Sequence, residues 1–336
     1  MTALAALRDG VGRVNRAPAI LIGVWLMTLA VTLPMTMGLR ATIADSLGSS
    51  LAAERAASGV DYVWMQEFSA RATGLGATFG PGVIGFGAVL DNLGGFVDNV
   101  RRPVAIVSAA AAYLLLWLFT AGGIVDRYAR DRPIRAHGFF AVSGVFFFRF
   151  LRLAVVMWSA YACLFALVHP WLFDRLYPAL TRETTVERTA FFVRVSLYVV
   201  FGAALAFCNA VFDYAKVRAV VEDRRSMAGA LWAALRFVAR NRGAVALLYL
   251  ADGALFLLVL FGYALVAPGA GGPGLSLWIG VAIGQLYVLA RLWIKLVFWA
   301  SETALFQSRL AHARYAARPV PAWPESPAAE GIRNEL

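Results

Sequence analysis

The chain has 336 residues, of which 60% are hydrophobic and 15% charged, with a formal net charge of +11 and a mean hydropathy of +0.68. Soluble domains are nearer half apolar and a quarter charged, so this composition excludes an ordinary water-soluble enzyme. The apolar runs are continuous rather than short and alternating, which also excludes a transmembrane β-barrel.

What remains is an all-α polytopic membrane protein. Its basic excess, almost all arginine, is read as the cytoplasmic surplus of the positive-inside rule, and no nucleic-acid partner is expected. Residues 1–16 carry Arg8, Arg13 and Arg16 and are expected to form an N-terminal interfacial helix. The charge layout is that of a signal peptide. The apolar part, however, runs on to about Leu39, longer than such a leader needs, which predicts an uncleaved first span. Six spans follow from the apolar runs: 17–39, 103–125, 153–173, 191–212, 244–267 and 275–299.

Charge between the spans sets the orientation. Segment 126–152 has six Arg against two Asp, and segment 213–243 has seven Lys/Arg against three acids. The long segment 40–100 has three Arg against six acids, and 171–190 balances three against three. Both termini and both basic segments are therefore expected in the cytoplasm of a bacterium, with the spans in its inner membrane. The tail 300–336 becomes Pro/Ala/Glu-rich, and disorder is expected from about residue 319.

Segment 40–102 is the sizeable extracytoplasmic piece. Asp45 or Ser46 is expected to cap a helix through Arg55, with Gly59 ending it, and a second short helix to run through Trp64 and Phe68. The glycine-rich run after Gly74 is too short to span. It either packs over the bundle as a lid or meets a partner, with Trp64, Phe68, Phe79 and Phe86 as the contact candidates.

The two basic segments share a plan. At an offset of 87 residues, Asp126 falls on Asp213 and Arg149-Phe150 falls on Arg236-Phe237. In each, an acid leaves the membrane, a short amphipathic helix follows, and arginines precede the next span. Met227, Leu231, Leu235 and Val238 repeat at helical spacing with Trp232 beside them, as in a helix lying in the headgroup plane. Arg13 and Arg16 precede span one as Arg149 and Arg152 precede span three. The expected architecture is an internal repeat of helix-hairpin units, used three times. Arg149, Arg152, Arg236, Arg240 and Arg242 are expected to contact anionic headgroups, with Trp232 and Phe146 to Phe148 gripping the interface.

Asp213 to Glu222, together with the downstream Arg236-Phe237 pair, resembles an extended group of six-span bacterial proteins. That group is related to the membrane domain found beside glycerophosphodiester phosphodiesterases. The resemblance covers roughly residues 100–310 and implies the six-span fold. No catalytic residue is carried over, because no soluble catalytic domain of that kind follows span six.

Chemistry-bearing motifs are scarce. Cys163 and Cys208 lie inside apolar runs without metal or redox spacing. Gly80 to Gly85 satisfies GxGxxG, but no strand precedes it and a proline sits in the turn. His137, His169 and His312 are far apart. No catalytic set, metal site or cofactor is expected. One pair stands out: Asp252 in span five and Arg291 in span six, each roughly 12 Å deep by helical rise. The short connection between the spans makes them antiparallel neighbours, so the acid and base are expected to pair, with Lys295 on the same face as Arg291. The pair is either a clamp holding the hairpin or part of an ion pathway.

Two readings of function result. The first is a non-enzymatic scaffold or accessory/assembly subunit of a membrane complex, contacting anionic lipid and a membrane-protein partner or a second copy of itself. The alternative is a transporter or lipid-handling permease that uses Asp252 and Arg291.

Overall fold

The computed structural model describes residues 1–48, 50–80, 82, 85–269 and 274–312. The expected disordered tail, part of the GxGxxG stretch and part of the loop between the last two spans lie outside the described residues. Among those residues the elements in order are α1 (Ala3–Asn15), α2 (Pro18–Leu47), α3 (Ala52–Ser58), α4 (Tyr62–Arg71), α5 (Gly85–Val97), α6 (Val104–Arg130), α7 (Ala136–Cys163), α8 (Tyr177–Thr181), α9 (Glu187–Val221), α10 (Met227–Arg240), α11 (Arg242–Val266) and α12 (Leu275–His312). Six helical runs are long and apolar enough to cross a membrane: Pro18–Leu47, Val104–Arg130, Ala136–Thr181, Glu187–Val221, Arg242–Val266 and Leu275–Leu310. The all-α, six-span class expected from the sequence is the observed one.

The helices outrun the expected spans. Runs ending at 125, 212 and 299 by hydropathy continue to Arg130, Val221 and His312. A hydropathy window stops at the first charges, but here those charges pair along their own helix. Asp126 takes Arg130, Asp213 takes Lys216 and Glu222 takes Arg218. Pairs three or four residues apart support a helix rather than end it. Span three is also longer than expected: helix continues to Thr181, through π-helical stretches at Leu164–Val168 and Trp171–Leu176 that flank Pro170. A proline ring removes an N–H and crowds the preceding turn, and a widened turn absorbs both.

α1, α10 and the turns after α6 and α9 gather at one end of the bundle, here called the basic end. The main core lies there, drawing on α1, α6, α7, α9, α10, α11 and α12. The closest helix pairings are α1 on α12, the start of α7 on α6, and α10 on α9. Each of these helices opens one of the three repeat units and packs on the last span of another. The first unit docks on the third, the second on the first, and the third on the second, so the arrangement closes on itself. Small residues allow the close approach. Gly10 of α1 faces Ser301 of α12, and Gly122 and Gly123 of α6 face Phe146 and Ser143 of α7.

α10 makes its contact with Met227, Ala230, Ala234 and Val238 buried, while Leu231 and Leu235 are only half-buried. The expected leucine stripe is therefore rotated toward the alanines, which let α9 come closer. The middle unit departs in another way, since α7 runs unbroken through Arg149 and Phe150. Pro18 starts α2 after a break at Ala17, and Asn241 separates α10 from α11. The stretch around 149–152 has no such residue to interrupt it.

Arginines lock the ring. Arg13 donates to the Tyr128 carbonyl at 2.6 Å and to Gln307 Oε1 at 2.8 Å, and Gln307 Nε2 donates to the Ala129 carbonyl at 2.8 Å. One side chain thus ties α1 to the ends of α6 and α12. Arg149 of α7 grips the end of α9 in the same manner, through Asp223 at 2.6 Å. Arg13→Ala leaves a carbonyl and an amide without their donor, which by the cost of unmet buried groups is expected to lose about 2 kcal/mol. Unfolding in titrated detergent measures it.

At the far end, α2 runs through Asp45 and Ser46 to Leu47, so neither caps the next helix as expected. α2 stops at Gly48, whose φ of +48° suits glycine. Asp61 caps α4, accepting from the Val63 and Trp64 amides at 3.1 Å, and pairs with Arg55 at 2.7 Å. The Trp64 amide and Arg55 hold its carboxyl below the usual aspartate range. α5 lies over the spans, with Phe96 against Phe165 and Asn99 Nδ2 donating to the Phe165 carbonyl at 3.0 Å.

Candidate functional site: a buried polar cluster

The last turns of the spans bring an unusual set of groups into the core of the basic end. α9 supplies Asn209, Asp213 and Lys216, whose spacings of four and three put them on one face. α11 supplies Tyr249 and Asp252, and α12 supplies Lys295, Trp299 and Glu302. Each return span carries a buried acid near this end: Asp126, Asp213 and Glu302 are 3%, 4% and 0% exposed.

A chain of hydrogen bonds crosses three helices. Asn209 Nδ2 donates to Asp213 Oδ2 at 2.7 Å and to the Tyr249 hydroxyl at 3.1 Å. The Tyr249 hydroxyl donates to Glu302 Oε1 at 3.2 Å. Tyr161 of α7 reaches Asn209 Oδ1 at 3.5 Å. Asp213 also forms an ion pair with Lys216.

The two lysines of the chain, Lys216 and Lys295, both come here. Their ammonium groups lie 4.9 Å and 5.8 Å from the Trp299 ring, and that of Lys295 stands 3.6 Å over Trp117 of α6. A compact ammonium on an aromatic face is a favourable contact where water is excluded. Lys295 has no carboxylate within ion-pairing distance among the described residues. Opposite these pairings stand unmet acceptors. Glu302 Oε2 and both Asp252 oxygens are buried without a hydrogen-bond partner. The Asp213 and Asp252 carboxylates both act on Glu302 through space.

The expected Asp252–Arg291 pair is not formed. Asp252 is buried and unpartnered while Arg291 is exposed. Equal depth on neighbouring helices fixes height but not direction, and the two side chains turn different ways. Lys295, read as sharing a face with Arg291, lies over Trp117. Asp252→Asn therefore breaks no existing bond and is expected to leave stability in detergent unchanged or raise it. A thermal melt checks this, and a clear loss would contradict the geometry.

The five arginines expected at headgroups divide. Arg152, Arg236, Arg240 and Arg242 are exposed, Arg236 lying over Trp232 at 5.0 Å. Arg149 is half-buried in its pair with Asp223 and serves the ring instead. Phe148 and Trp232 are exposed, whereas Phe146 is buried beside Gly122. Of the partner-contact candidates, Trp64, Phe68 and Phe79 contact one another in tilted and edge-on geometry at centroid distances of 5.2–6.2 Å, and Phe86 packs on Tyr263 of α11. Phe68 is buried, while Trp64, Phe79 and Phe86 stay half-buried.

Glu302 and Tyr249 were not singled out by sequence. Two lysines in an arginine-rich chain, and an acid near the end of every return span, are the signals that point to the cluster.

Chemically, the cluster can hold charge inside a packed core and cross-link α6, α9, α11 and α12. Among the described residues no group of three or more His, Cys, Asp or Glu is arranged to hold a metal ion. Comparison with protein-family models, curated proteins and solved structures finds no match.

Proposed function

We propose that the protein is a non-enzymatic scaffold or accessory subunit of a bacterial inner-membrane complex, with its basic end and both termini in the cytoplasm. It contacts anionic lipid through that end and a membrane partner through its spans. The observation that carries this reading is the uneven packing of the chain. The main core and most of the polar cross-links sit at the basic end, where the clustered charges serve to join helices, while a smaller core of Leu172, Leu197 and Phe201 and the Tyr198–Asp98 bond hold the far end. Along the spans, large side chains such as Leu257, Leu258, Phe261, Trp278 and Leu286 are exposed. A rigid end with long apolar arms suits a protein that meets others within the bilayer. The resemblance to the membrane domain accompanying phosphodiesterases is consistent with such an accessory role.

Gentle extraction from the native membrane tests the reading. A partner, or a second copy, retained at fixed stoichiometry is expected; a bare monomer in every mild detergent counts against it. Orientation is tested separately, with Cys163 and Cys208 replaced and a single cysteine placed at Arg225. Labelling by an impermeant reagent is expected only after the cells are opened.

The alternative, transport, draws on one observation: Asp252 and Glu302 are buried acids with unmet oxygens, a feature of proton pathways. Proton-coupled uptake lost in Glu302→Gln, with normal folding, would favour it.

A further inference from the structure

A second feature of the basic end is a cavity of about 610 Å3 between the start of α2, the last turns of α6 and the start of α7. Its walls are apolar, including Ile20 and Met27 of α2, Leu116 and Phe119 of α6 and Phe139 of α7. The charged residues that line it are Arg16 and Arg127. Arg127 is 6% exposed, and its Nη1 is buried without a hydrogen-bond partner. Its Nη2 reaches the Arg16 carbonyl at 3.5 Å. The Asp131 carboxylate stands 3.6 Å from Arg127 but binds Arg16 more closely, at 2.7 Å. Two guanidinium groups thus share one carboxylate, and nearby Arg13 is already paired with Asp9. The mouth keeps one positive charge and one unmet donor, and a buried cation left in that state is costly.

We propose that this cavity binds one phospholipid of net negative charge. Its phosphate lies against Arg127 and Arg16, and one acyl chain runs between α2 and the α6–α7 pair. A phosphodiester supplies the acceptor oxygens that Arg127 lacks, and charge-assisted bonds of this kind are strong. The chain supplies the apolar filling that a free anion cannot. Asp131 acts as an internal counter-ion that the phosphate partly displaces. Burial pushes the Asp131 carboxyl up, but its bond to Arg16 and the charges of Arg16, Arg13 and Arg127 hold it below the ordinary aspartate range. It is therefore ionised at neutral pH and competes with the lipid. The site deepens the lipid-contacting half of the proposed function and rests on it, but needs no protein partner.

The test is native mass spectrometry of the delipidated full chain in a neutral detergent, titrated with dioleoyl phosphatidylglycerol or dioleoyl phosphatidylcholine. One phosphatidylglycerol is expected to be held at a concentration roughly tenfold or more lower than phosphatidylcholine requires, as one charge-assisted contact implies. Arg127→Gln is expected to erase that preference, and Asp131→Asn to strengthen binding. Gly23→Leu fills the cavity and is expected to abolish retention of either lipid. A Cβ at Gly23 meets no atom within 4 Å, so this variant keeps the test open if Arg127→Gln folds poorly. Equal retention of both lipids by the unaltered chain overturns the proposal. Retention unchanged in both the Arg127 and Gly23 variants overturns it too, as does displacement of the lipid by inorganic phosphate alone. Any of these results leaves partner binding standing, and a missing partner leaves the lipid result intact.

Discussion

Asp213→Ala is expected to destabilise the protein by about 3–5 kcal/mol, the usual cost of removing one partner from a buried ion pair. The substitution strands Lys216 in the core beside Lys295 and Trp299. It also removes one of the two acceptors of Asn209 Nδ2, leaving it only the Tyr249 hydroxyl. Glu302→Gln should behave in the opposite way. The amide keeps an acceptor for the Tyr249 hydroxyl and cannot take on a negative charge beside Asp213 and Asp252. Its stability is expected to equal or exceed that of the unaltered protein. The pair is informative because both positions are buried acids of one cluster. Equilibrium unfolding in mixed micelles reads both, and an Asp213→Ala variant that unfolds like the parent refutes the keystone role given to the ion pair.

Gly10→Leu is expected to detach α1. A Cβ at Gly10 would stand 2.1 Å from Ser301 Oγ and 2.8 Å from the Ser301 backbone nitrogen. The backbone nitrogen cannot step aside, so the helices must separate. Overpacking alone costs roughly 1–3 kcal/mol, and losing the Arg13 contacts adds to it. The expected readout is rapid proteolysis of the first 17 residues under conditions where the parent resists, together with a lower melting temperature. Gly12→Ala is the control: a Cβ there meets only the flexible tip of Arg16, at 3.1 Å, and resistance should persist. If Gly10→Leu is equally resistant, α1 is not held by this contact.

What the sequence discloses here follows from which forces are local. The spans are legible because lipid demands some twenty apolar residues in a row, a demand written in one dimension. The likeness of the two basic segments shows through Asp126, Asp213 and the Arg149-Phe150 and Arg236-Phe237 pairs, which are likewise read along one dimension. The cluster was not legible, because Asp213 and Lys216 look like a membrane exit when read along the chain. Only the continuation of α9 to Val221, and the arrival of α11 and α12 beside it, turn those residues inward. Asp252 and Arg291 failed in the converse way: depth is a sequence quantity, but the direction in which a side chain points is set by neighbours. The mutual contacts of Trp64, Phe68 and Phe79 were not legible, because aromatic residues in a loop look alike whether they touch one another or not.

The docking of α1 against α12 has a consequence for how the protein is made. Arg13 and Gln307 meet across 294 positions, so α1 cannot take its place until α12 has been made. Until then its small-residue stripe of Ala3, Ala6 and Gly10 has no mate, and the newborn chain is an open string of hairpins. Arrival of α12, rather than formation of any one earlier hairpin, is what gives α1 its seat.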